Sequence, residues 1–189
     1  MRSLVILLCP LLFAACRSGP APSGSLPPGA KPFGGRAWSI PGVIEAECFN
    51  EGKDGEAFHD LDPENQGAPY RVTTVDVEER KDASGGYGVG WTRAGEWLTY
   101  TVNVKQPGEY RVEVPAASAG IGGVFHIEMD GKDVTGPITV PDTGSWQTLQ
   151  LVVVKRVKLT RGVQTMKVVM DTDGETKSIG DMDLFRFTR

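Results

Sequence analysis

Tryptophan and carboxylate are the side chains in this sequence whose placement could do chemistry. Trp91 and Trp97 stand six residues apart in Gly90-Trp91-Thr92-Arg93-Ala94-Gly95-Glu96-Trp97-Leu98-Thr99-Tyr100, and Trp146 follows in Thr143-Gly144-Ser145-Trp146-Gln147-Thr148. Trp91 closes a Gly-rich stretch, Gly85-Gly86-Tyr87-Gly88-Val89-Gly90. Trp91 and Trp146 both lie beside glycine in expected loops, where exposure is the default. Trp97 opens an alternating run, with Leu98, Tyr100, Val102 and Val104 on one side and Trp97, Thr99, Thr101 and Asn103 on the other. Period two means a strand. With the aliphatic side in the core, Trp97 faces away from it. An exposed aromatic ring on a polar strand face suits stacking against a ligand.

The catalytic constellations are absent. Of the two histidines, His59 sits in an acidic loop and His126 alternates in a strand beside Glu128. Cys48 lies in an expected strand with no histidine near it in sequence, so it lacks the base a thiol nucleophile needs. No Cys and His spacing fits zinc, and the Gly-rich stretch leads into a strand rather than a phosphate-binding helix. Its glycines read as backbone freedom for a tight loop. There are 24 acidic residues, enough for a carboxylate pair that hydrolyses sugars, yet no spacing singles out a pair. The chain reads as a non-enzyme, with a small glycoside hydrolase as a lesser alternative.

The elements that must position these residues begin after a distinct N-terminus. Met1-Arg2-Ser3 is basic and residues 4–15 are almost wholly apolar, the pattern of an export signal too short to span a bilayer. Leu12-Phe13-Ala14-Ala15-Cys16 resembles a bacterial lipoprotein cleavage box, which implies lipidation of Cys16 and a membrane-anchored protein of the cell envelope. In a chain processed there, Cys48 is the one thiol left, and no internal disulfide forms. Residues 17–37 are rich in Pro, Gly and Ser and read as a tether. Four of the 20 basic side chains and no acid fall in residues 1–36, which leaves 16 basic against 24 acidic beyond. That balance argues against a nucleic-acid partner.

From residue 38 to 189 short strands alternate with turns. Expected strands are 43–49, 70–78, 97–104, one around Tyr110, Val112 and Val114, and one around Phe125, Ile127 and Met129 closed by a hairpin at Asp130-Gly131-Lys132. Others follow at 138–140, around Leu149, Leu151 and Val153, at 163–170 and at 182–187. The acidic stretch from Glu51 to Pro69 reads as a solvated loop. No run of ten residues has a helical period. The fold class is therefore all-β, an antiparallel sandwich or barrel of one domain.

Six blocks in order resemble carbohydrate-binding modules of family 6 over about 40–189. They are Ile44-Glu45-Ala46-Glu47, Val75-Asp76-Val77-Glu78, residues 85–100, Phe125 to Ile138, Thr143 to Thr148, and Asp181-Met182-Asp183-Leu184-Phe185-Arg186-Phe187. The resemblance implies a β-sandwich of jelly-roll type that binds sugar without cleaving it. It implies a loop site in which Trp91 and Trp146 grip a ring while Glu78 and Asp181 bond its hydroxyls. It also implies a second site at Trp97 in some members, and a structural Ca²⁺ held by Glu45, Glu47 and Asp183. Family members commonly carry Asn at the positions of Asp181 and Asp183. An ionised Asp accepts hydrogen bonds but cannot donate them, which disfavours an acidic sugar. The reading is a monomeric, surface-tethered, non-catalytic binder of β-linked poly- or oligosaccharide. The alternative is a structural or protein-interaction lipoprotein that has lost the sugar.

Overall fold

The computed structural model describes residues 28–189. The expected export signal, Cys16 and residues 17–27 of the tether lie outside the described residues. In chain order the strands are β1 (Trp38–Ile40), β2 (Gly42–Glu45), β3 (Phe58–His59), β4 (Val77–Glu79), β5 (Tyr87–Val89), β6 (Trp97–Val104) and β7 (Gly108–Ser118). They continue as β8 (Val124–Met129), β9 (Lys132–Asp133), β10 (Ile138–Thr139), β11 (Ser145–Leu159), β12 (Gly162–Thr172), β13 (Asp181–Met182) and β14 (Leu184–Thr188). One sheet has the order β1-β6-β12-β8-β10, with β3 also on β6 and β9 on β8. The other has the order β2-β14-β7-β13-β5-β4, with β11 on the far side of β7. β1 runs parallel to β6, and the other strand pairs are antiparallel. The architecture is the expected all-β sandwich.

Alternation sets the core. Leu98, Tyr100, Val102 and Val104 of β6 are buried, as are Phe125, Ile127 and Met129 of β8 and Met166, Val168 and Met170 of β12. They meet Tyr110, Val112, Val114 and Ala116 of β7 together with Phe185 and Phe187 of β14 in one cluster. The Tyr100 ring packs edge-on to Phe185 at 5.6 Å, and its hydroxyl donates to the Ala46 carbonyl at 2.7 Å. A buried phenol is tolerated because its polar end has a partner.

Several boundaries differ from the expectations, each for a local reason. The first strand stops at Glu45, and Ala46–Cys48 form a 3₁₀ turn. Ala46, Glu47, Cys48 and Phe49 are all buried, whereas a continued strand would have sent alternate side chains outward. The strand expected at 70–78 shrinks to Val77–Glu79. Arg71 donates to the Glu47, Phe49 and Asn50 carbonyls and lies 3.7 Å over the Phe49 ring, so its segment folds across the first strand as a loop. β11 begins at Ser145 rather than near Leu149, and its register against β7 breaks between Ser145 and Gln150. β11 advances five residues there while β7 advances two, and an odd shift of three flips every later side chain. Leu151 is consequently half exposed, while Val152 and Val154 pack on the core.

The tether boundary also moves. Ala30 and Ala37 are buried and Lys31 pairs its backbone with Glu51, so residues 30–37 belong to the packed domain. Cys48 is buried, and its Sγ lies 3.7 Å from the Tyr70 hydroxyl. Among the described residues no helix is long and apolar enough to cross a membrane.

Candidate functional site

Glu78, Arg80 and Asp82 follow one another at every second position, so they share one face as the chain runs through and beyond β4. Val77, on the opposite face, is fully buried. Glu78 pairs with Gly88 of β5, and Met182 of β13 pairs with Val89, which brings Asp181 alongside. A Cβ on Gly88 would come within 2.8 Å of Arg80 Cδ, and one on Gly90 within 3.1 Å of Asp181 Oδ1. These two glycines are therefore there for close approach. The loop freedom expected of the whole stretch applies to Gly86, whose φ is 81°.

Arg80 gathers the carboxylates. Its Nη1 donates to Glu78 Oε1 and to Asp181 Oδ2 (2.8 Å), and its Nε and Nη2 donate to Asp82 at 3.1 and 3.0 Å. Nη2 also donates to the Trp146 carbonyl at 2.6 Å. Burial works against the Arg80 charge, but Asp82, Glu78 and Asp181 outweigh it and raise its pKa. Asp181 is pushed up to about 7, by burial first and then by Glu78, against the pull of Arg80.

Trp91 has φ 50°, a left-handed conformation costly for a bulky side chain. The next residue holds it there. Thr92 Oγ1 donates to the Gly180 carbonyl at 2.8 Å, and the Thr92 carbonyl accepts from Ile179 N–H (2.8 Å) and Ser178 Oγ (2.9 Å). The result is a Trp91 side chain left 43% exposed. Trp146 lies in the irregular start of β11, where a register break re-aims side chains; it is half-buried.

Trp91, Trp146, Glu78 and Asp181 line one cavity of about 390 Å³, with Arg93 and Lys177 at its wall. Asp62 and Gln66 line it too. The acidic stretch 51–69, expected to be solvated, instead folds back on the cavity through an Arg93–Asp62 ion pair. Behind that loop, Glu96 accepts from the Arg93 and Leu61 N–H groups, and Asp76 accepts from Gln66 N–H. Burial, aided by the Asp60 charge, raises Glu96 to about 7 and Asp76 to about 6. Arg80 and Arg93 were missed in sequence, although the Glu78-x-Arg80-x-Asp82 alternation was a usable signal.

Trp97 is elsewhere, on the outer face of β6. It is half-buried, with Lys167 Nζ 4.3 Å from the ring centroid and the His59 ring 6.2 Å away. On the same sheet His126 contacts Asp171 at 2.8 Å, and that carboxylate raises its pKa against the effect of burial.

Glu45, Glu47 and Asp183 meet around Ser84. Ser84 Oγ donates to Glu45 Oε2 (2.8 Å), and Ser84 N–H donates to Asp183 Oδ1 (3.0 Å). Glu47 Oε2 is buried without a partner, and a Cβ on Gly85 would stand 3.2 Å from Glu47 Oε1. Burial first, then the neighbouring charges, pushes Glu47 up to about 8; Glu45 and Asp183 are raised as well. Among the described residues no group of three or more His, Cys, Asp and Glu side chains is placed closely enough to hold a metal ion. The donor chemistry is of the kind Ca²⁺ takes, hard carboxylate oxygens with one left without a partner.

The model for Carbohydrate binding module (family 6) matches residues 69–189. The clotting factor G alpha subunit of Tachypleus tridentatus is 35% identical over 80 residues, covering 41% of this chain and 12% of that protein. The β-agarase AgaA of Microbulbifer thermotolerans is 31% identical over 65 residues, covering 34% of this chain and 15% of that protein. The match thus spans a small part of these longer relatives. Among solved structures, a β-1,3-glucan-binding module of Bacillus halodurans has a TM-score of 0.62 at 23% identity, covering 81% of this chain and 99% of that one. A module of Cellvibrio mixtus lichenase 5A in complex with cellotriose has a TM-score of 0.58 at 25% identity, covering 79% and 98%. With more than half of its length matched by the family model, the chain belongs to carbohydrate-binding module family 6, whose modules bind sugar without cleaving it.

Proposed function

We propose that the cleft bounded by Trp91 and Trp146 holds a β-linked gluco- or xylo-configured oligosaccharide, or the equivalent segment of a polysaccharide. One observation carries the reading. Trp91, Trp146, Glu78 and Asp181, from four separate segments, line one cavity of about 390 Å³, within the ~300–1,000 Å³ of small-molecule sites. Aromatic faces cover the apolar CH patches of a pyranose, and ionised carboxylates accept from its rim hydroxyls. The solved modules that bind β-1,3-glucan and cellotriose support this choice of sugar class. Isothermal titration in Ca²⁺ with laminari-, cello-, xylo- and agaro-oligosaccharides tests it. Heat from at least one series, with Kd in the micromolar to millimolar range, is expected; no heat from any would overturn it.

When bound, Ca²⁺ supplies positive charge between the first and last strands of its sheet. Glu45, Glu47 and Asp183 would hold it. The chain's own residues there place Glu47 in a 3₁₀ turn and bring Asp183 to the Ala46 N–H through its carbonyl. We further propose export and anchoring through a lipid on Cys16, with the module acting as a monomer beyond a short tether. Labelling with a radioactive fatty acid, lost on Cys16→Ser, tests the anchor.

A further inference from the structure

Arg80 stands behind the cleft without lining it. Its side chain is 2% exposed, against 17% for Glu78 and 7% for Asp181. A guanidinium has five N–H donors in a fixed plane, and five acceptors surround this one: two oxygens of Asp82, one of Glu78, one of Asp181 and the Trp146 carbonyl. The bidentate grip of Asp82 sets the plane. The remaining donors then fix two cleft carboxylates and the backbone of one aromatic wall. A lysine could not do this, because its ammonium is a compact point charge with three donors.

On the reading of the cleft as a sugar site, we infer that Arg80 is its positioning residue and sets its specificity for a vicinal diol. Both carboxylates share Nη1, which keeps them adjacent. Arg80 engages one oxygen of each, Glu78 Oε1 and Asp181 Oδ2, and both side chains line the cleft. Two adjacent carboxyls are matched by two neighbouring hydroxyls, each able to accept or donate, as adjacent ring hydroxyls are. Arg80 also accounts for aspartate at 181. A buried carboxylate is tolerated there because a guanidinium contacts it, so an amide is not needed.

The test is calorimetric titration of methyl β-cellobioside and of its analogues that each lack one ring hydroxyl. The parent protein should lose about tenfold or more for each of two adjacent hydroxyls, the cost of an unsatisfied buried acceptor, and little for the others. In Arg80→Lys the complete sugar should bind about tenfold more weakly, and the penalty at those two positions should shrink to about twofold. Kd and stoichiometry are read separately. Discrimination kept intact with only the stoichiometry lowered would mean a merely structural role and overturns the inference. Should Arg80→Lys fail to fold, Asp82→Asn loosens the guanidinium plane and leaves the charge in place. It should blunt the same discrimination at least about threefold, and unaltered discrimination overturns the inference. Parent binding without a preferred hydroxyl pair overturns the inference alone. No binding by the parent overturns the cleft reading with it.

Discussion

Two carboxylate clusters lie next to each other at one side of the sandwich, and they are balanced in different ways. Glu78, Asp82 and Asp181 surround Arg80 and are hydrogen-bonded to it. Two residues further along the chain from Asp181, Asp183 joins Glu45 and Glu47 around Ser84, and among the described residues no ion pair reaches any of the three. Removing carboxylates from water is costly unless a cation or donors replace the water. The first cluster contains its cation, so it can offer preset acceptors to a neutral sugar. The second has an orphaned oxygen and raised carboxyls, the grounds for proposing Ca²⁺ there. Asp181 thus lies inside an ion network, whereas Asp183 takes its hydrogen bonds from Ser84.

The largest effect should come from the second cluster. Chelation of Ca²⁺ is expected to lower the melting temperature by about 5–10 °C, from about 2.7 kcal/mol of binding at hundredfold saturation. Glu47→Gln should remove that response and Glu78→Gln should leave it, as calorimetric scans with and without chelator would read. An equal loss in both variants breaks the distinction between the clusters.

A smaller effect belongs to the carboxylates behind the cleft loop. Glu96 titrates near 4.5 when unfolded and about 7 when folded. Below about 4.5 it is protonated in both states and costs nothing. As pH rises toward 7 the unfolded chain releases its proton first, so stability falls. Urea midpoints across pH 4.5–8 should therefore decline less in Glu96→Gln than in the parent, by about 2 kcal/mol across the range. Parallel curves would refute the burial argument. Smallest is the backbone effect at φ 50°. Trp91→Gly should melt about 2–4 °C above Trp91→Ala, because Ala keeps a Cβ in the left-handed region.

The strands with strict alternation were legible: β6, β7, β8 and β12 hold their apolar residues inward as period two requires. β11 was not. Its register break against β7 turns Leu151 outward, and nothing in an apolar alternation marks the three extra residues. The loop from Tyr70 to Asp76 failed for another reason, since its β-like composition is overridden by a long-range Arg71 contact to the Phe49 carbonyl. Trp91, Trp146, Glu78 and Asp181 could be named in advance only because family resemblance aligns positions more than a hundred residues apart in sequence. Arg80 and the Asp62–Arg93 pair needed geometry: charge alternation shows a shared face, but not that a partner strand brings a second carboxylate to it.

The central claim is that sugar binds between Trp91 and Trp146 rather than on the sheet face at Trp97. The most direct measurement titrates Trp146→Ala and Trp97→Ala side by side with the best oligosaccharide of the panel, in Ca²⁺. Trp146→Ala should lose at least about tenfold in affinity, with its melting temperature nearly unchanged. Trp97→Ala should stay within about threefold of the parent. Binding kept by Trp146→Ala and lost by Trp97→Ala would contradict the central claim.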